Sequence, residues 1–303
     1  MKTKTLDDLR ATEGGRYALA IVRKNKKVRW LSLVSLLLMI ACFLAGGRMP
    51  DDTLPDIIGI LIFVCGLLLV KKIMGKNSNG FLDVLDEECD PYKAEDVFAT
   101  CYYVGRDLMT KLFYYLCIAR SITFQGDYER ALQMLREVRI QSYRNQMRYK
   151  TCLLWYYDTL RLCYAHKGET DKLEMIAQEF RNMQHTYGGN RQFAKTVAKE
   201  IDMIALELSL QAGRTDEYDR ISGSEDWRSG SRLTAVTQRW TDVRAARIRG
   251  DREAAKAACR YVVEHGNRLW HVADARDMLR ELEATDEKTV YRTIHRSDGH
   301  NSN

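Results

Sequence analysis

Apolar and polar positions divide the chain near residue 71. Residues 30–47 contain no charged side chain, and residues 57–70 repeat that pattern, led in by Leu54, Pro55 and Asp56. About 20 residues rising ~1.5 Å each are needed to cross roughly 30 Å of hydrocarbon, so the first run spans and the second spans once residues 54–56 join it. The pattern predicts a transmembrane hairpin with helices at 30–47 and 54–70, joined by a turn carrying Arg48, Asp51 and Asp52. Beyond it the texture changes. All three prolines, Pro50, Pro55 and Pro91, fall in the first 91 residues, which leaves residues 92–303 free to form helix throughout. There the apolar positions recur at helical spacing, in segments broken by single glycines and short polar turns. Asp90 and Pro91 read as the N-cap and first-turn proline of the opening helix. The expected fold class is all-α.

Charge orients the hairpin. The basic leader, residues 1–29, ends in Arg23, Lys24, Lys26, Lys27 and Arg29, while Lys71, Lys72 and Lys76 follow the second run. By the positive-inside rule both flanks and both termini stay cytoplasmic, making a multi-pass protein of the cell's inner (plasma) membrane. Arg23, Lys24, Lys26, Lys27, Arg29, Lys71 and Lys72 are the candidates to face anionic lipid, worth about 1 kcal/mol each near the surface. A cleaved signal peptide fits less well, because the leader and the run are both long and a second run follows. Neither run carries an ionisable group at mid-depth, so the hairpin reads as an anchor rather than a pathway. Gly59 and Gly66 lie two turns apart on one face, where helices can approach closely. Residues 71–90, with G-K-N-S-N-G at 75–80, read as a linker. Eight cysteines without a C-x-x-C pair indicate reduced thiols in a cytosolic setting.

One punctuation recurs: Q-G-D-Y-E-R-A-L at 125–132, K-G-E-T-D-K-L at 167–173, A-G-R-T-D-E-Y at 212–218 and R-G-D-R-E-A-A at 249–255. Its glycines, Gly126, Gly168, Gly213 and Gly250, are 42, 45 and 37 residues apart, a period typical of stacked helix pairs. With Ala131 in a small-residue position and Leu135 and Val138 continuing the stripe, residues 106–285 resemble the tetratricopeptide repeat family. A hairpin joined to such repeats also resembles uncharacterised bacterial membrane proteins of that kind. The chain departs from the family pattern in its longer period, in lacking a closing proline, and in placing Arg161 and Tyr218 where small residues are expected. The resemblance implies a solenoid of antiparallel helix pairs over residues 91–290, followed by a disordered tail at 291–303. It also implies a concave groove, lined by the first helix of each pair, that binds a protein or peptide. Counted onto this chain, the groove positions are Phe113, Arg120 and Phe124; Trp155, Asp158 and His166; Glu200, Met203 and Glu207; and Trp240, Arg244 and Arg247.

Other chemistry leaves little trace. No H-E-x-x-H, G-x-S-x-G, Walker or G-x-G-x-x-G motif occurs, so no catalytic residue, metal or cofactor is assigned. The six histidines are dispersed and read as surface residues; Asp274 follows His271 by three positions, too few ligands for a metal. Cys152 and Cys163 share a helix face and read as core. The run Arg136, Arg139, Arg144, Arg148 and Lys150, with Tyr143 and Tyr149, reads as a solvated helix face. Residues 92–303 carry only +4 (34 basic against 30 acidic), which argues against nucleic acid. The segment 222–231 reads as a long connection stapled by Trp227. The leading expectation is a non-enzymatic, membrane-anchored scaffold that holds a protein or peptide at the cytoplasmic surface. Its rivals are an enzyme or enzyme subunit with a non-local active site, revealed by a deep polar pocket uniting histidines and acids, and a helical domain binding anionic lipid or RNA.

Overall fold

A computed structural model describes residues 4–46, 54–146, 148–224, 227 and 230–298. Among these, all regular structure is helical: α1 (Leu6–Ala11), α2 (Glu13–Gly46), α3 (Leu54–Asp86), α4 (Pro91–Val104), α5 (Leu108–Gln125), α6 (Tyr128–Glu137), a 3-10 turn (Ile140–Tyr143), α7 (Tyr149–Lys167), α8 (Thr170–Tyr187), α9 (Arg191–Gln211), α10 (Asp216–Ser222), α11 (Arg232–Arg249), α12 (Arg252–His265) and α13 (Trp270–Asp298). The expected turn between the two apolar runs lies outside the described residues.

Helices α2 and α3, of 34 and 33 residues, pair along their length, and at ~1.5 Å per residue each is roughly 50 Å long. Their apolar parts contain windows of mean hydropathy 1.9 and 2.5 and are long enough to cross a bilayer. They are not core helices of the domain. From Trp30 to Leu69, seventeen large apolar side chains are exposed, Trp30 at 61% and Leu44 at 68%, against five elsewhere among the described residues. Gly59 and Gly66 do face α2: a Cβ on Gly59 would lie 2.9 Å from that of Cys42, and one on Gly66 would collide with Ser35.

Both helices then continue past the apolar parts, which corrects the expected linker. Residues 71–86 are the last turns of α3, and residues 13–29 are the first turns of α2. Of the two glycines expected to break this stretch, Gly80 is packed by Tyr17 and Ile21 of the partner helix. The Tyr17 hydroxyl donates to the Gly80 carbonyl at 3.1 Å, and Asn77 Nδ2 donates to Asn25 Oδ1 at 2.7 Å. A helical glycine costs about 1 kcal/mol relative to alanine, an amount such packing offsets. Ala18, Phe81, Val84 and Leu85 are buried in the main core beside Val97 and Phe98 of α4, and Phe81 meets Tyr114 edge to face at 6.2 Å. Asp90 caps α4 as expected, accepting from the Tyr92 and Lys93 amides at 3.1 and 3.0 Å.

From α5 onward consecutive helices pack on one another, α5 on α6, α7 on α8, α8 on α9, α9 on α10, α11 on α12 and α12 on α13. All four punctuating glycines have left-handed backbone, with φ of 90°, 70°, 73° and 73°. Gly126 shows why: it reverses the chain tightly, and a Cβ there would also lie 3.2 Å from the Trp270 Cβ. Trp227 is buried with Leu206, Leu210 and Ala245, pinning the connection into α11 as expected. The last helices return to the first. Asn267 Nδ2 donates to the Glu88 carbonyl at 2.8 Å, Arg268 pairs with Asp90 at 3.3 Å and lies 4.4 Å from the Tyr92 ring centroid. Helix α13 continues to Asp298, so the tail expected to be disordered from residue 291 is helical that far; residues 299–303 lie outside the described residues.

Gly14 sits where α2 crosses α4. A Cβ there would lie 2.9 Å from the Asp96 Cβ and 3.2 Å from the Val97 nitrogen, and backbone cannot yield. Gly14→Val is expected to destabilise the detergent-solubilised protein by about 1–3 kcal/mol, read as a lowered Tm. An unchanged Tm would show that the stalk and the helical domain are not packed together.

Candidate functional site

The inner helices α5, α7, α9 and α11, together with the start of α13 and the end of α3, surround a cavity of about 1210 Å³. This exceeds the roughly 300–1,000 Å³ usual for small-molecule pockets. Ten of the twelve expected groove positions line it: Arg120, Phe124, Asp158, His166, Glu200, Met203, Glu207, Trp240, Arg244 and Arg247. Phe113 and Trp155 do not. Their rings meet edge to face at 5.3 Å in the packing of α5 on α7, and the Trp155 ring holds the Arg120 guanidinium at 5.1 Å.

A buried ion network forms one wall. Asp158 accepts from Arg120 Nη1 and from Arg161 Nη2, the latter at 2.6 Å, and Arg161 Nε lies 3.1 Å from Glu200 Oε2. Arg161 thus answers one departure from the repeat pattern: a small residue there would leave Asp158 and Glu200 without their shared cation. Burial alone raises the Asp158 carboxyl, but the two guanidiniums more than offset it and hold the group well below the usual carboxylate range. Glu200 goes the other way. Burial and the neighbouring Asp158 charge push it up to about 7, against which Arg161 acts only in part. A second bridge is bidentate: Arg244 Nη1 and Nη2 donate to Glu207 at 2.6 and 2.8 Å. Gln211 Nε2 braces it, donating to Glu207 Oε1 at 2.9 Å and to the Ala165 carbonyl at 2.8 Å.

Aromatic rings form the opposite seam, where α13 meets the first two pairs. His166 stacks on Tyr128 at 3.9 Å, Trp270 stacks on His271 at 3.9 Å, and Trp240 meets Trp270 edge to face at 5.8 Å. His271 is buried, not at the surface as expected; desolvation lowers its pKa to about 3, so its imidazole is neutral. Burial also lowers His166, with Asp274 acting against the shift, and burial raises both Asp86 and Asp274. Asp86, Tyr128, Arg161, Trp270, His271 and Asp274 were not counted as groove residues. Asp86, Trp270, His271 and Asp274 lie on α3 and α13, outside the four glycine-marked pairs, and no period in the sequence points inward at them.

The expected basic helix face does not form. Arg136 ends α6, Arg139, Arg144 and Arg148 fall in the irregular connection to α7, and Lys150 lies 5.4 Å from the Phe193 ring centroid. Cys152 and Cys163 are buried thiols, as expected of core. Arg23, Lys24, Lys26, Lys27, Arg29, Lys71, Lys72 and Lys76 are all exposed, at the level between the apolar parts and the packed core. No family model, curated protein or solved structure matches the chain.

The network makes stability depend on pH. The Glu200 pKa lies above its ordinary 4.5 in the fold, so its contribution is complete below that value and is lost as pH rises through about 7. Asp158 acts oppositely, but only at more acidic pH, because its folded pKa is depressed. Wild type is therefore expected to lose on the order of 2 kcal/mol relative to Glu200→Gln between about pH 5 and pH 8. Thermal unfolding at the two pH values measures this; parallel Tm profiles would contradict the assignment.

Proposed function

We propose that this protein is a membrane-anchored binding module: a TPR-like solenoid on an inner-membrane hairpin, holding a peptide segment of a partner protein in its central cavity at the cytoplasmic surface. The observation that carries this reading is the placement of ten of the twelve counted groove positions around one large cavity. Aromatic and arginine side chains are the groups that dominate recognition energetics. Here Arg120, Arg161 and Arg244 are held by carboxylates before any partner arrives, so little side-chain freedom remains to be lost on binding. The left-handed glycines and the pairing of helices support the repeat reading. The basic collar of exposed lysines and arginines supports cytoplasmic flanks lying against anionic lipid. Function then follows from localisation, since the anchor raises the partner's effective concentration at the bilayer.

An enzymatic reading keeps one specific observation in its favour: His166, His271 and Asp274 line the same cavity. Its weakness is protonation. His271 is neutral far below the pH at which a general acid or base would cycle.

Two measurements test the leading proposal. The protein is expected to stay in alkali-washed membranes and to expose both termini to protease only from the cytoplasmic face. Trp240→Ala/Arg247→Ala is expected to reduce recovery of the co-purifying partner at least about 10-fold, as loss of interface hot spots does, while surface Arg136→Ala/Arg144→Ala does not. Equal recovery from all three proteins would remove the cavity from the account.

A further inference from the structure

The basic run that forms no helix face still gathers at one end of the domain. Helix α4 runs back along α3. Lys93 at its start pairs with Glu88 at 2.7 Å, and Phe98, further along, meets Tyr114 at 6.3 Å as Phe81 of α3 does at 6.2 Å. The turn from α4 into α5, residues 105–107, therefore points toward the apolar parts of the hairpin. Helix α5 runs away from that turn and α6 returns toward it, with the Tyr115 hydroxyl donating to Glu137 Oε2 at 2.9 Å. The connection from α6 into α7 thus ends beside the α4–α5 turn. Arg148 marks the meeting: hydrogen bonds from Thr110 lower the Asp107 pKa, and the Arg148 charge adds to them.

This end stands at the height of a bilayer surface when the hairpin spans. At ~1.5 Å per residue, Val70 at the end of the apolar run lies about 16 Å below Phe81, and Val104 lies about 9 Å below Phe98. The α4–α5 turn is then within roughly 10 Å of the hydrocarbon edge, next to a headgroup layer about 5–8 Å thick. Trp30, 61% exposed where the other apolar run begins, marks the same edge, as interfacial aromatic rings do. Arg106, Arg139, Arg144 and Arg148 are exposed at this end and have no ion-pair partner within 4.0 Å among the described residues. The acids on the same segments are already engaged, Asp107 in capping α5 and Glu137 with Tyr115. Five large apolar side chains are exposed outside the hairpin among the described residues, and two of them, Tyr103 at 42% and Leu108 at 57%, flank this turn.

We propose that this end of the domain docks on the anionic phospholipid headgroups of the bilayer that holds the hairpin, with the four arginines on phosphates and Leu108 reaching between them. The docking rests on the membrane-anchored reading above and adds to it a contact made by the solenoid itself. Its surface continues the collar of Lys71, Lys72 and Lys76 on α3. Attraction of arginine to an anionic surface falls off within a Debye length, about 8 Å at physiological salt, so the height of this end decides that it acts. RNA offers the same phosphates, but the position beside the hairpin favours lipid.

The test uses the full chain in two kinds of nanodisc, one of phosphatidylcholine and one of phosphatidylcholine mixed with phosphatidylglycerol. Hydrogen exchange of residues 104–108 and 139–146 is read in both. Exchange in these segments is expected to slow at least about 10-fold in the anionic discs and to recover in high salt. Arg106→Gln/Arg144→Gln should cancel most of the slowing. Lys172→Gln/Arg214→Gln, an equal loss of charge beside the turns at Gly168 and Gly213, should leave it intact. An oligouridine RNA added to the neutral discs is the third arm: stronger protection than anionic lipid gives would assign the patch to RNA and overturn the bilayer as its partner. Equal exchange in the two discs, or slowing that the arginine double variant keeps, would also overturn the proposal. Should the protein still resist alkali washing in that case, the anchor would stand and only the docking would fail; its release by alkali would instead remove the membrane reading itself.

Discussion

Two helices that run from apolar into polar sequence without a break set the rest of the structure. A helix satisfies every backbone amide and carbonyl within the segment, as hydrocarbon would demand, and α2 and α3 keep that arrangement through apolar runs long enough to cross a bilayer. They stay helical beyond those runs because each covers the other's polar and glycine positions, through Asn25 with Asn77 and Tyr17 with Gly80. The core of the helical domain then assembles on the same two rods. Phe81, Val84 and Leu85 belong at once to a hairpin helix and to that core. The two rods are therefore continuous with the domain rather than joined to it by a flexible tether, and the last residue of α3, Asp86, lines the cavity.

The cavity depends on a second constraint, the return of α13 to the start of the domain. Arg268 on Asp90 and Asn267 on the Glu88 carbonyl join residues 178 and 179 positions apart in sequence, and Trp270 lies over Gly126. What would otherwise be an open inner face becomes a partly enclosed cavity, and charges on its buried wall are costly unless paired. The Arg120–Asp158–Arg161–Glu200 network answers that cost, and the pull of Asp158 and Glu200 in opposite directions shows that the answer is partial. Opposed shifts within one cleft are a physical mark of a candidate functional site, and structural ion networks produce them as well.

Much of this was legible from local chemistry. Apolar runs of spanning length, left-handed glycines at Gly126, Gly168, Gly213 and Gly250, and the Asp90–Pro91 cap each follow from a few neighbouring residues. Helical counting back from each glycine then placed Arg120, Asp158, Glu207 and Arg244 on the inner face. The rest depended on contacts between distant segments. The stretch at 75–80 has the composition of a linker, and only the packing of α2 on it makes it helix. Trp155 counts onto the groove, yet the fit of α5 against α7 takes its ring elsewhere. Trp270, His271 and Asp274 reach the cavity through closure of the domain, which leaves no periodic trace. Arg161 is the instructive case: it breaks the repeat pattern, and it sits at the centre of the ion network.

The most direct measurement of the central claim is site-specific photocrosslinking in native membranes, with a photoreactive residue at position 240 inside the cavity or at position 175, where Met175 is 62% exposed on α8. The account predicts a discrete adduct with a partner protein from position 240 and none from position 175. Adducts from position 175 alone, or none from position 240, would contradict it.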